Sequence, residues 1–209
     1  MRGSFRLPPV YPITDTQISG LSHAEQIALF AAGGATLVQL REKRAAPLKF
    51  YEEAKAALAV ANERGLQLII NDRVDIALAV GAGGVHLGQD DLPAEAARRL
   101  LGDDAIIGCS THSVAQALAA SSLPIDYLAV GPIFRTGTKE NPDPVVGLDG
   151  LRTVREAAGS IPLVAIGGIT PANGLEVLQA GADSVAMISG LWSQPGVLSS
   201  TFRLSPPTS

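Results

Sequence analysis

Cysteine is nearly absent from this sequence. The one thiol, Cys109, excludes an intrachain disulfide and fits a reducing, cytoplasmic compartment. Long apolar runs are also missing. None approaches the roughly eighteen residues a membrane span needs, which excludes a helical membrane protein. The opening MRGSFRLPP carries positive charge without an apolar core, so no signal peptide is expected. Positive charge is not in excess: Lys and Arg total 16 against 20 Asp and Glu, a net charge of −4. A general nucleic-acid surface would need a basic stripe, so no nucleic-acid partner is expected. Aromatics are scarce at 4%, and no linker or second composition divides the chain.

What the chain has in quantity is Ala, Val, Ile, Leu and Gly, which suits parallel strands buried on both faces beneath helices. From Val10 onward, β-branched runs alternate with segments of helical period. Strands are expected at VYPIT (10–14), TLVQLR (36–41), QLIIN (67–71), GVHLG (84–88), AIIGCS (105–110), YLAVGPI (127–133), PLVAIGG (162–168) and SVAMIS (184–189). The clearest helix is 47–65, with Leu48, Tyr51, Ala54, Leu58 and Ala61 on one face. Ser22-His23-Ala24-Glu25 reads as a capping box. Leu148 or Asp149 opens a helix ending at Gly159, and Thr170-Pro171 reads as an N-cap and first-turn proline. Eight strand–helix cycles in 209 residues predict a single-domain α/β protein, a (β/α)₈ TIM barrel, with an open doubly wound sheet as the alternative. The Ser/Pro-rich tail from about Ser193 is expected to be loose and its last helix faint.

A parallel barrel brings all its strand ends to one mouth, so polar residues at those ends converge. Strand two delivers Gln39, Arg41 and Lys43; strand three Asn71 and Asp72; strand four Gln89, Asp90 and Asp91. Strand five delivers Ser110, Thr111 and His112, and strand six is followed by Arg135, Thr136, Gly137, Thr138 and Lys139. Gly167-Gly168 and Ile188-Ser189-Gly190 follow the last two strands, where such barrels commonly bind phosphate on backbone N–H groups. Arg41, Lys43 and Lys139 add cations, so the mouth is expected to take more than one phosphate. Asp72 and Asp91 would repel such a ligand unless a hard divalent cation such as Mg²⁺ stood between them.

Each residue also has a plainer reading. Asp72 would cap the short helix that follows or pair with Arg73, Asp91 would cap the next helix, and Arg41-Glu42-Lys43 would be a solvated strand end with Glu42 structural. His86 reads as a hydrogen-bonded core histidine, Cys109 as core, and His23 as an exposed residue at a helix start. His112, just past strand five, is open to an acid–base role.

The segments VQLREK (38–43), LIINDRVDIALAVGAGGVHLGQDD (68–91), IIGCSTH (106–112), DYLAVGPIFRTGTK (126–139), VAIGGITPAN (164–173) and AGADSVAMIS (180–189) resemble the thiamine phosphate synthase family. The resemblance runs in order from about Tyr11 to Trp192. It implies a (β/α)₈ transferase of thiamine biosynthesis with Mg²⁺ as cofactor. The partners implied are two phosphorylated heterocycles, a pyrimidine diphosphate and a thiazole phosphate, and the products thiamine phosphate and pyrophosphate. By motif, Gln39, Arg41, Lys43, Asn71, Ser110 and Lys139 would hold the pyrimidine diphosphate, with Arg41, Lys43, Ser110 and Lys139 in catalytic roles. Asp72 and Asp91 would bind the metal. Thr136, Gly137, Thr138, Gly168, Ile188 and Ser189 would hold the thiazole phosphate. The family also suggests a homo-oligomer. Two other functions fit less well: a thiazole tautomerase of the same superfamily, which His112 would suit, and a silent binder of thiamine intermediates.

Overall fold

The computed structural model of the chain describes residues 5–137, 143–192 and Phe202. Its strands are β1 Val10–Thr14, β2 Leu37–Leu40, β3 Gln67–Asn71, β4 Gly84–Leu87, β5 Ile106–Thr111, β6 Tyr127–Val130, β7 Leu163–Ile166 and β8 Ser184–Met187. All pair in parallel with their chain neighbours, and β1 closes on β8 through Val10–Val185, Tyr11–Ala186 and Pro12–Met187. The open sheet is thereby excluded. Between the strands lie α1 Thr16–Ser19, α2 His23–Gly33, α3 Pro47–Glu63, α4 Val74–Val80, α5 Ala94–Leu101, α6 Val114–Ala120, α7 Gly147–Ala158 and α8 Gly174–Gln179. A single 3₁₀ turn, Ser189–Trp192, follows β8.

Burial on both faces is why the strands read as nearly continuous apolar runs. One apolar layer fills the barrel: Tyr11, Ile13, Leu37, Ile69, Ile106, Tyr127, Ala129, Val164 and Ala186. The other lies between strands and helices, with Ile27, Phe30, Leu68, Val85, Leu128 and Val154 among its members. Small residues set the barrel's radius at two points. A Cβ on Gly84 would stand 1.9 Å from the Ile106 carbonyl oxygen, and one on Gly108 would stand 2.0 Å from Tyr127 Cζ.

The capping box of α2 is present, with Ser22 Oγ accepting from the Glu25 N–H and the Glu25 carboxylate accepting from the Ser22 N–H at 2.8 Å. Three local expectations need correction. The buried face of α3 is Phe50, Ala54, Ala57 and Ala61, whereas Leu48 is 70% exposed. Position 48 is the second residue of the helix, and the larger Phe50 takes the contact. Thr170 does not cap α8: Asn173 does so by position, its Oδ1 accepting from the Thr170 N–H at 2.8 Å while helix begins at Gly174. α7 begins at Gly147, ahead of Leu148 and Asp149. The tail expected to be loose lies outside the described residues apart from Phe202, which packs 6.3 Å from Phe30, ring to ring.

Candidate active site at the carboxyl ends of the strands

At the end of β3 the backbone turns sharply. Asp72 has φ +64°, and among the described residues it is the one non-glycine with positive φ. Asp and Asn tolerate this left-handed conformation better than other side chains. The Asp72 N–H donates to the His86 carbonyl at 2.8 Å, which ties the turn to β4. Neither aspartate caps a helix, since Arg73 precedes α4 and Pro93 precedes α5, each without a side-chain cap bond. Asp91 instead folds back over β4 and accepts from the Gly88 N–H at 2.7 Å.

The two carboxylates face one another. Burial pushes the Asp91 carboxyl above its ordinary value, against the Gly88 N–H, and neighbouring Asp72 adds to the push through its charge and a shared hydrogen bond. The Lys43 ammonium ion-pairs with Asp72. The donors are all oxygens, two carboxylates converge, and burial disfavours the charged form of Asp91. This set fits a hard cation such as Mg²⁺. At the same strand end the Asn71 amide nitrogen is buried and has no hydrogen-bond partner among the described residues. Leaving a buried donor unpaired costs about 1–3 kcal/mol, so Asn71 is suited to a ligand acceptor.

Beneath this layer runs a polar chain through the barrel. Gln39 Nε2 donates to the Tyr11 hydroxyl at 3.3 Å, and Tyr11 lies 3.1 Å from the Tyr127 hydroxyl. Tyr127 lies 2.9 Å from His86 Nδ1, and His86 Nε2 lies 2.8 Å from Ser110 Oγ. The assignment that uses every proton runs outward from Gln39. Each tyrosine donates to the next acceptor and His86 Nε2–H donates to Ser110, which leaves the Ser110 hydroxyl able to act as a donor. His86 is thus the core histidine expected, but it also positions Ser110, and Tyr11 and Tyr127 went unnoticed in the sequence reading. They read there only as apolar strand residues.

Burial holds the His86 imidazole down at about 4 from the ordinary 6.5. The folded chain keeps it neutral, so the unfolded chain takes up the proton first. Its contribution is intact above about pH 6.5 and is lost as pH falls toward 4, amounting to about 3 kcal/mol. Urea unfolding at pH 7 and pH 4.5 checks this: His86→Gln should lose less stability between the two than the parent. Equal losses would show that His86 does not carry the acid sensitivity.

Arg41 pairs with Asp15 at 2.7 Å, and Asp15 also caps α1 through the Gln17 and Ile18 N–H groups. This partner was missed because 26 residues separate the two. Glu42 is structural, as expected: its Oε1 accepts from the Arg44 and Ala45 N–H groups at 2.6 and 3.0 Å. His23 is a correction. It is 1% exposed, tucked under β1 with Nδ1 2.7 Å from Thr14 Oγ1, because the capping box turns the helix start inward. Burial lowers its pKa, opposed by Glu53 and Glu42. His112 Nδ1 donates to the Gly131 carbonyl at 2.7 Å, so it fastens the end of β5 to that of β6. Cys109 is buried, as expected of a core residue.

On the far side, Gly167 (φ +102°) and Gly168 (φ +66°) lie against the loop after β6. A Cβ on Gly168 would stand 2.6 Å from the Arg135 carbonyl oxygen, so glycine here lets the two loops touch. Gly190 similarly meets the Ile169 carbonyl, at 2.5 Å for an added Cβ. Gly168 therefore touches the loop after β6 at Phe134 and Arg135, and Gly190 touches Ile169 and Thr170 of the loop after β7. Thr138 and Lys139 lie outside the described residues.

A closed parallel barrel with carboxylates, cations and a buried donor gathered at its carboxyl mouth is a (β/α)₈-barrel enzyme. Residues 10–191 match the family described as thiamine monophosphate synthase. The chain is 49% identical to the thiamine-phosphate synthase of Chloroflexus aurantiacus, over 87% of this chain and 84% of that one. It is 45% identical to that of Clostridium novyi, over 87% and 89%. A solved thiamine phosphate pyrophosphorylase from Pyrococcus furiosus superposes with a TM-score of 0.83 at 38% identity, covering 94% of this chain and 93% of that one. The chain belongs to the thiamine monophosphate synthase family, and is an enzyme, a transferase of that type. No helix among the described residues is long and apolar enough to cross a membrane.

Proposed function

We propose that the chain joins 4-amino-2-methyl-5-(diphosphooxymethyl)pyrimidine to 4-methyl-5-(2-phosphooxyethyl)thiazole, releasing thiamine phosphate and pyrophosphate in the cytoplasm. The observation that carries this reading is the facing pair Asp72 and Asp91 beside Lys43, Asn71 and Ser110. Two carboxylates and a lysine on one ligand make sense for a diphosphate that arrives with a divalent cation.

Asp72 and Asp91 would hold Mg²⁺, whose role when bound is to offset negative charge on the departing diphosphate. The chain's own part is to position and compensate. Lys43, Arg41 and, from the sequence alone, Lys139 face the diphosphate oxygens with positive charge that matters more as the leaving group gains electrons. Asn71, Gln39 and Ser110 orient the pyrimidine diphosphate with neutral donors, Ser110 held in place by His86. The bond between the pyrimidine methylene and the diphosphate oxygen breaks with both electrons leaving on oxygen. The thiazole nitrogen then donates its lone pair to the resulting pyrimidine-methyl cation. Thr136, Gly137, Thr138 and the backbone of Gly168, Ile188 and Ser189 would hold the thiazole phosphate so that its nitrogen faces that carbon. No proton need be abstracted, which accords with His112 being engaged by Gly131.

The test is to supply both heterocycles with Mg²⁺ and follow products over time. The reading expects thiamine phosphate and pyrophosphate in equal amounts. Isomerised thiazole with the pyrimidine diphosphate untouched would replace this reading with a tautomerase.

A further inference from the structure

A second group of metal-ligand side chains lies beside the mouth, built from three side chains that the proposed reaction does not use. His23 opens α2, Glu42 lies in the turn after β2, and Glu53 is in α3. One ligand atom from each lies within 4.8 Å of the other two. His23 Nε2 stands 3.5 Å from Glu42 Oε2 and 3.9 Å from Glu53 Oε2. A tetrahedral ion with bonds of about 2.1 Å sets its ligands roughly 3.4 Å apart, so small side-chain rotations bring these atoms to ligand spacing.

The atoms that face inward are the ones with nothing else to do. His23 Nε2 and Glu53 Oε2 are buried and have no hydrogen-bond partner among the described residues. The remaining atoms of each group are held from outside. Glu42 Oε1 accepts from two backbone N–H groups, and Glu53 Oε1 lies 3.6 Å from Lys49 Nζ. Thr14 Oγ1 accepts from the Arg41 N–H at 3.2 Å and lies 2.7 Å from His23 Nδ1. When Nδ1–H donates to Thr14, Nε2 presents its lone pair to the two carboxylates. Outer hydrogen bonds of this kind orient metal ligands. A cleft of about 370 Å³, lined by Thr16, Gln17, Ser22, Glu42, Lys49 and Glu53 among others, opens beside the group and leaves room for a water as fourth ligand.

We propose that His23, Glu42 and Glu53 form a site for a zinc-class divalent cation, separate from the Asp72–Asp91 pair. The imidazole makes the distinction, because Mg²⁺ prefers an all-oxygen shell while Zn²⁺ takes nitrogen and carboxylate together. Such an ion would tie α2 and α3 to the turn that carries Arg41 and Lys43 into the mouth. Its role is to brace that turn.

The experiment uses the tag-free full chain carrying Asp72→Asn and Asp91→Asn, which removes the mouth carboxylates. Zn²⁺ titrated by calorimetry should bind one ion per chain with a Kd near or below about 10 μM, and raise Tm. Adding Glu53→Gln or His23→Gln should weaken binding at least tenfold, in order of magnitude. In the ¹⁵N spectrum of labelled histidines, Zn²⁺ should move the His23 resonances and leave those of His86 and His112 in place. That readout needs no substitution at the site, so it decides the matter even if His23→Gln fails to fold. Zinc binding only above about 1 mM, affinity unchanged by Glu53→Gln, or a shift confined to His112 would each overturn the proposal.

Discussion

Asp91→Asn should lower kcat at least about 100-fold while leaving Tm in metal-free buffer unchanged or higher. The asparagine Oδ1 can still accept from the Gly88 N–H that now bonds Asp91, so the turn after β4 keeps its anchor. What disappears is the second negative charge in a place where burial already penalises it. Removing that charge relieves the fold and disables the site, which is the usual sign of a group kept for function. Asp72→Asn should lose activity to a similar extent. Asparagine is the right probe there, because alanine at φ +64° would strain the backbone by about 1–2 kcal/mol and blur the result. Steady-state kinetics at saturating Mg²⁺ with thermal melts in EDTA give both numbers. Near-parental kcat in either variant would remove that residue from the metal site.

Gly108→Ala should damage the site and the fold together. The added Cβ would fall 2.0 Å from Tyr127 Cζ and 2.4 Å from its hydroxyl, inside a ring that is fully buried. Overpacking of this kind costs roughly 3 kcal/mol. Moving Tyr127 also breaks its bonds to His86 and Tyr11, so Ser110 loses its positioning and kcat should fall about tenfold in the surviving folded fraction. A double-mutant cycle separates the cause. In a Tyr127→Leu background the same substitution should cost less than about 1 kcal/mol in urea unfolding, because the ring it strikes is gone. Additive costs would place the damage elsewhere in the strand.

The barrel was legible in the sequence because each strand is buried on both faces and each connection is short. Val10–Thr14 and Gln67–Asn71 are found at the expected limits, and the other strands lie within their expected spans to a residue or so, or stop short of the following turn. Period-two and period-3.6 patterns carry that information locally. Helix starts were harder. Thr170-Pro171 has the composition of a cap, yet the chain spends three more residues turning before α8, since the Asn173 side chain claims the Thr170 N–H. The mouth residues were legible because a parallel barrel converts position at a strand end into proximity. Tyr11, Tyr127 and Asp15 were not, because nothing local marks a tyrosine whose hydroxyl meets another 116 residues away, or a cap that also pairs with Arg41. His23 misled for the same reason. Its place at a helix start says exposed, and only the packing of α2 on β1 and α3 shows it buried.

The central claim is that Asp72 and Asp91 hold a metal that carries the diphosphate. It is tested most directly by running the coupling reaction with purified protein in two buffers, one with Mg²⁺ and one with EDTA, and quantifying thiamine phosphate. Product formed with Mg²⁺, absent in EDTA and restored when Mg²⁺ is returned, is the predicted result. Comparable product in EDTA would contradict it, and the facing carboxylates would then need another purpose.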